Sequence, residues 1–167
     1  MKTLSQYTNA TLRLEQPSVW KRVHHLRAGD EILCTMTRPH FFGTTVVIAG
    51  FGETWEVSQP SIWRSVLEIK RQHQHLPFAT FVSGKWGKAG TFVLPNGERI
   101  EFVQSMWKAV NELHSAQKIT LVSMKRNSWR KRGLQVVIEH PSDVLDRYPW
   151  IIMVAYMKIL ERQRQTS

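Results

Sequence analysis

Residues 150 to 157 read Trp-Ile-Ile-Met-Val-Ala-Tyr-Met, an apolar run with no polar interruption. At 3.6 residues per turn such a run covers every face of a helix, and a helix apolar all round must be enclosed by protein or by lipid. Crossing a bilayer takes roughly 20 apolar residues, whereas runs of about ten to fourteen belong to buried core helices. Lys158 ends this run well short of a span. The sequence therefore predicts a buried helix at about 148–163. Pro149 suits its first turn, and Asp146 just upstream is a cap or dipole partner. The rest of the chain has to leave a lumen for this helix.

The remainder is organised by an internal repeat. Ser18-Val19-Trp20-Lys21-Arg22-Val23-His24-His25-Leu26 aligns with Ser61-Ile62-Trp63-Arg64-Ser65-Val66-Leu67-Glu68-Ile69 and with Ser105-Met106-Trp107-Lys108-Ala109-Val110-Asn111-Glu112-Leu113. Each copy is preceded by an apolar-polar-apolar stretch, at Thr11–Glu15, Gly52–Val57 and Gly97–Phe102, which is the period-2 mark of a half-buried strand. Two further β-favouring runs follow each copy: Ile32–Met36 and Thr44–Ile48, Phe78–Val82 and Gly90–Leu94, Ile119–Met124 and Leu134–Glu139. Turn residues separate them, most clearly Pro95-Asn96-Gly97. The reading is three units of about 44 residues with four strands each, and Trp20, Trp63 and Trp107 at equivalent strand positions, packed in the core or at its rim.

Twelve strands and one all-round apolar helix predict a mainly β fold, a closed antiparallel barrel around a buried C-terminal helix, as one domain over residues 1–167. Closure removes exposed edges, and the helix fills a lumen too wide for strand side chains alone. A three-bladed propeller would be below the usual four to eight blades and would leave the helix without a place.

With the Trp-Lys/Arg-x-Val repeat, the Gly-x-x-apolar-x-apolar hairpins and the terminal stretch Pro149 to Arg162, the chain resembles the tubby C-terminal-domain-like group. That group includes phospholipid scramblases and plant LURP-one-related proteins. The resemblance covers roughly residues 7 to 162 and is one of architecture. It implies a twelve-stranded barrel around a hydrophobic C-terminal helix. It also implies an association with membrane lipid, since tubby domains bind phosphoinositides through basic residues outside the barrel. No lipid-binding residue of the group is matched here one by one.

Charge supplies an independent bias. Lys plus Arg number 23 against 13 Asp plus Glu, a net +10 with a pI near 10.2. Such a balance favours anionic partners: phospholipid headgroups, nucleic acid or an acidic protein. The sharpest cluster is Lys118 to Arg132, which holds no acidic residue. Within it Lys125, Arg126, Trp129, Arg130, Lys131 and Arg132 form the expected anion- or lipid-binding hairpin tip, an amphipathic ring among cations. The same loop could grip nucleic-acid phosphate with Trp129 stacked on a base. A protein-interaction scaffold whose charge serves solubility is the third reading. Lys85, Trp86 and Lys88 would join the basic surface if their loop lies near this tip.

Enzymatic chemistry finds no foothold. Gly84 to Gly90 lacks the spacing of a phosphate loop, and no Gly-x-Ser-x-Gly elbow exists. Cys34 lies inside an expected strand as a core residue. His24-His25 and His73-Gln74-His75, the latter read as a strand, lack companions for a zinc site and are read as surface histidines. No cofactor, metal or transmembrane segment is expected. No signal-peptide h-region follows Met1, and one cysteine gives no sign of an oxidising compartment. The expectation is a cytoplasmic, non-enzymatic binding module, peripheral to the membrane if lipid is the partner.

Overall fold

The structure, a computed structural model, describes residues 1–18, 20–39, 44–85, 89–105, 109–126 and 133–166. The strands are β1 (Thr11–Ser18), β2 (Val23–Ala28), β3 (Glu31–Thr37), β4 (Val46–Gly50), β5 (Glu53–Ser58) and β6 (Val66–Arg71). They continue as β7 (Ala79–Ser83), β8 (Ala89–Val93), β9 (Arg99–Ser105), β10 (Val110–Ser115), β11 (Thr120–Arg126) and β12 (Leu134–Ile138). Two helices follow, α1 (Asp143–Arg147) and α2 (Trp150–Gln165). Every strand pairs antiparallel with its sequence neighbour, and β1 closes on β12 with Thr11 opposite Val137 and Leu14 opposite Leu134. The closed barrel expected from the sequence is the fold observed.

Alternation decides which side chains face the lumen. In β5 Trp55 and Val57 are buried while Glu53, Thr54 and Glu56 are not, and in β9 Ile100 and Phe102 are the buried pair. α2 runs through the lumen, and Trp150 through Met157 are buried without exception. An α-helix with its side chains is about 10–12 Å across, which explains why strand residues alone do not fill the interior. Trp150 meets Phe78 and Phe92 at ring centroid distances of 5.9 and 6.0 Å. No helix among the described residues is long and apolar enough to cross a membrane.

One end is plugged by elements that the sequence reading did not anticipate. A 3-10 turn at Leu4–Tyr7 buries Leu4 and Tyr7, and α1 buries Leu145 beside it. Asp146 was expected to cap the long helix; instead its Oδ1 accepts the Ser5 backbone N–H at 2.8 Å and ties the N-terminal segment to α1. α2 starts at Trp150 behind Pro149 and has no side-chain cap. His73 and His75 lie in the turn between β6 and β7 rather than in a strand, with His73 at φ 69°.

The tightest packing is on β8. Gly90 lies against the ring of Phe81, in the place where any other residue would put its Cβ. Phe81 cannot yield, because it is buried and its ring is packed at a tilt against Phe92, with centroids 4.6 Å apart. Gly90→Ala should therefore cost about 2 kcal/mol, the usual penalty for overpacking a filled core. An unchanged urea midpoint in Gly90→Ala would contradict this packing.

Candidate functional site

In a barrel of this topology alternate connections share an end. The β1–β2, β3–β4, β5–β6, β7–β8, β9–β10 and β11–β12 connections therefore lie together, opposite the plugged end. This open rim is where the repeated tryptophans fall. Trp20 is 95% exposed, Trp63 is 90% exposed and Ile62 is 76% exposed. The expected strand and core positions for Trp20 and Trp63 are thus corrected: both lie in turns and point to solvent. Trp107 lies outside the described residues.

The local chemistry explains the turns. Each repeat copy splits in two: Ser18 and Ser105 end β1 and β9, residues 20–22 and 61–65 are connection, and the Val-x-x-aliphatic part opens β2, β6 or β10. Arg22 and Ala109 hold the same place in their copies, and both are left-handed, at φ 48° and 50°. That conformation reverses the chain just before the valine. At the second copy the Trp63 N–H donates to Ser61 Oγ at 3.3 Å, and the Arg64 N–H donates to the Ser61 carbonyl at 3.2 Å.

Cations accompany these rings. Lys21, Arg22, Arg38, Arg64 and Lys85 belong to the rim connections, and among the described residues of those connections there is no Asp or Glu. Lys125 and Arg126 finish β11 at this same end and are exposed. The other expected tip residues, Trp129, Arg130, Lys131 and Arg132, lie outside the described residues, as do Trp86 and Lys88. In the sequence these residues, like Trp107 and Lys108, stand between β7 and β8, β9 and β10, or β11 and β12, in stretches without Asp or Glu. The plugged end has the opposite balance, with Asp30, Glu98, Glu139, Asp143 and Asp146 against Lys2, Lys118 and Arg147.

Where α2 emerges at the rim there is a cavity of about 450 Å³. Buried Met36, Val46 and Met157 and half-buried Leu160 give it an apolar inner wall. Arg22, Arg38 and Arg164 line it as well. Glu161 is its acidic member and is paired with Lys158 at 2.7 Å. His24 also lines it, and here the reading of a surface histidine is corrected: it is only 8% exposed, and its Nδ1 is 3.1 Å from the Tyr156 hydroxyl. The sequence signal was available, since His24 stands two residues before Leu26 and so shares its inward face of β2.

Burial pushes the His24 imidazole down from 6.5 to about 4, helped by the charges of Arg164, Arg38 and His25. It is therefore neutral at pH 7. The unfolded chain takes up this proton near pH 6.5 and the folded chain only near 4, so in between the unfolded state binds more protons. The contribution to stability is full above pH 6.5 and is lost as pH falls toward 4. His24→Gln should reduce the loss of unfolding free energy between pH 7 and 4.5 by about 2 kcal/mol. Equal losses in wild type and variant, read from urea midpoints, would refute a neutral buried His24.

Among the described residues no three His, Cys, Asp or Glu side chains gather as a metal site. Cys34 is a core residue, as expected, and burial raises its thiol to about 12, far from a reactive thiolate.

No family model and no curated protein sequence matches the chain. The fold is similar to the X-ray structure of the Arabidopsis thaliana protein AT5G01750, with a TM-score of 0.63 and 9% identity. The match covers 96% of this chain and 98% of that one. At this identity the likeness is one of fold.

Proposed function

We propose that the chain is a small, single-domain member of the tubby-like barrel group that binds anionic membrane surfaces through its open rim, without catalysis and as a peripheral protein. The observation that carries this reading is the pair of exposed tryptophans, Trp20 and Trp63, on an end whose described connections hold cations and no acidic residue. An indole ring at the headgroup level places its apolar body among acyl chains and its N–H in water. Each nearby Lys or Arg adds about 1 kcal/mol on an anionic leaflet before screening. Lys125 and Arg126 belong to this surface, and Trp129, Arg130, Lys131 and Arg132 are proposed to extend it. A nucleic-acid duplex would be met by the same cations, but its bases are already stacked on one another and offer these indoles no face.

The test is co-sedimentation with phosphatidylcholine vesicles carrying 0 to about 40% phosphatidylserine, at low and moderate salt, with a short duplex DNA as competitor. Binding should rise with the anionic fraction and fall with salt. Absence of binding at low salt, or full displacement by the DNA, would overturn the reading.

A further inference from the structure

The rim as a whole is a diffuse adsorption surface, but the cavity within it is a shaped one. We propose that this cavity takes a single phosphate ester with a short apolar attachment, the phosphate held among Arg22, Arg38 and Arg164 and the attachment lying on Met36, Val46, Met157 and Leu160. The proposal deepens the membrane-surface reading by naming what one such headgroup would occupy, and it rests on that reading only for its biological setting.

The volume of about 450 Å³ falls in the roughly 300–1,000 Å³ range of small-molecule sites. It exceeds what a bare phosphate fills, and Met36, Val46, Met157 and Leu160 are among its walls. The three arginines line it from three places: the β1–β2 connection, the residue after β3, and the last turn of α2. Cations converging from three directions suit a tetrahedral anion that offers oxygens on several sides. A planar carboxylate offers two oxygens in one plane and would leave one arginine without a matching acceptor. Arginine is also the cation whose planar fork meets phosphate oxygens in pairs. Glu161 has a cation partner of its own in Lys158 at 2.7 Å. Arg38 and Arg164 share this cavity with His24. The neutral His24 and the Tyr156 hydroxyl form a polar boundary between cations and lumen.

The shared chemistry is a phosphate ester, supplied by a lipid headgroup or by a soluble metabolite, and the experiment separates the two. The intact chain would be titrated calorimetrically with dioctanoyl phosphatidic acid below its micellar concentration, with glycerol 3-phosphate and with inorganic phosphate. Dioctanoyl phosphatidylcholine is the control that keeps the tails and covers the phosphate. Phosphatidic acid should bind at least about 30-fold more tightly than phosphatidylcholine, the gain expected of two or three charge-assisted hydrogen bonds. A similar gain over glycerol 3-phosphate assigns the site to lipid, and equal binding of the two assigns it to a soluble ester. Arg38→Gln combined with Arg164→Gln should remove most of the preference for phosphate. These side chains are half-buried and exposed, and a thermal midpoint close to wild type would verify folding. Leu160→Trp, which fills the cavity from its half-buried wall, should remove the advantage of the acyl-bearing ligand while leaving inorganic phosphate bound. Equal affinity for the two dioctanoyl lipids, no binding of any phosphate, or a double variant that binds like wild type would overturn the proposal. Because no bilayer is present, such a failure is distinct from a failure of the rim. Vesicle binding that survives in the double Arg variant would leave the surface reading standing.

Discussion

Val154→Asp should leave the chain without a cooperative unfolding transition. Val154 is fully buried at the middle of α2, between buried neighbours on every side of the helix. Among the described residues no Lys or Arg is buried, so a carboxylate there meets no cation within the lumen. Burying an unpaired polar or charged group costs several kcal/mol even if the group takes up a proton. A domain of this size holds only about 5–15 kcal/mol in total. Val154→Ala removes two methyl groups and should cost about 1–3 kcal/mol while preserving the transition. Gln165→Asp, on the exposed last residue of α2, should change little. Thermal melts followed by near-ultraviolet dichroism would report this, because Trp55 and Trp150 are buried. A Val154→Asp protein that melts sharply within a few degrees of wild type would mean that the helix is not enclosed.

Trp20→Ala combined with Trp63→Ala should weaken vesicle binding by at least about 100-fold without altering the melting temperature. Each indole offers roughly 200 Å². Half of that area moved into the acyl boundary, at about 25 cal/mol per Å², gives about 2.5 kcal/mol per ring. The pair is then worth several powers of ten before losses to ordering, since 1.4 kcal/mol is tenfold. Both rings are almost wholly in solvent, so the fold does not depend on them. Lys21→Gln, Arg64→Gln and Lys85→Gln together should weaken binding in low salt and matter little at high salt, where charges beyond a few Å are screened. The tryptophan loss should persist at both. If instead the tryptophan variant keeps its affinity and the charge variant loses it at every salt concentration, the rings do not enter the membrane.

The strands were legible because alternation of period 2 survives wherever one face of a strand is buried, as in Trp55–Val57 and Ile100–Phe102. The helix was legible because its apolar run has no polar face to disguise it. The rim was misread for a physical reason. Tryptophan favours strands, and a matching nine-residue stretch invites treatment as one element. Ser18 is the last residue of β1 and Ser61 lies in the turn beyond β5, so the Trp20 and Trp63 rings and the cations after them fall where the strand has already ended. His24 was missed because a histidine is polar by type, while its burial follows from the inward position it shares with Leu26. The 3-10 turn and α1 have little pattern of their own and exist through tertiary contacts such as Ser5 to Asp146. The cavity was invisible because its walls come from β1, β2, β3, β4 and α2, with no local spacing among them.

The seam between β1 and β12 bears on how the chain comes to fold during synthesis. Leu14 finds its partner Leu134 only after the 119 intervening residues have been made. At about 5–20 residues per second that wait is on the order of ten seconds, while single hairpins form in microseconds. Through that interval β1 presents an open edge, and the apolar interior has no occupant until α2 follows. Closure and filling are therefore the slow steps, as expected when distant strands must meet. The growing chain is most vulnerable to misassociation just before β12 and α2 emerge, so a holdase or the ribosome surface has its greatest effect there.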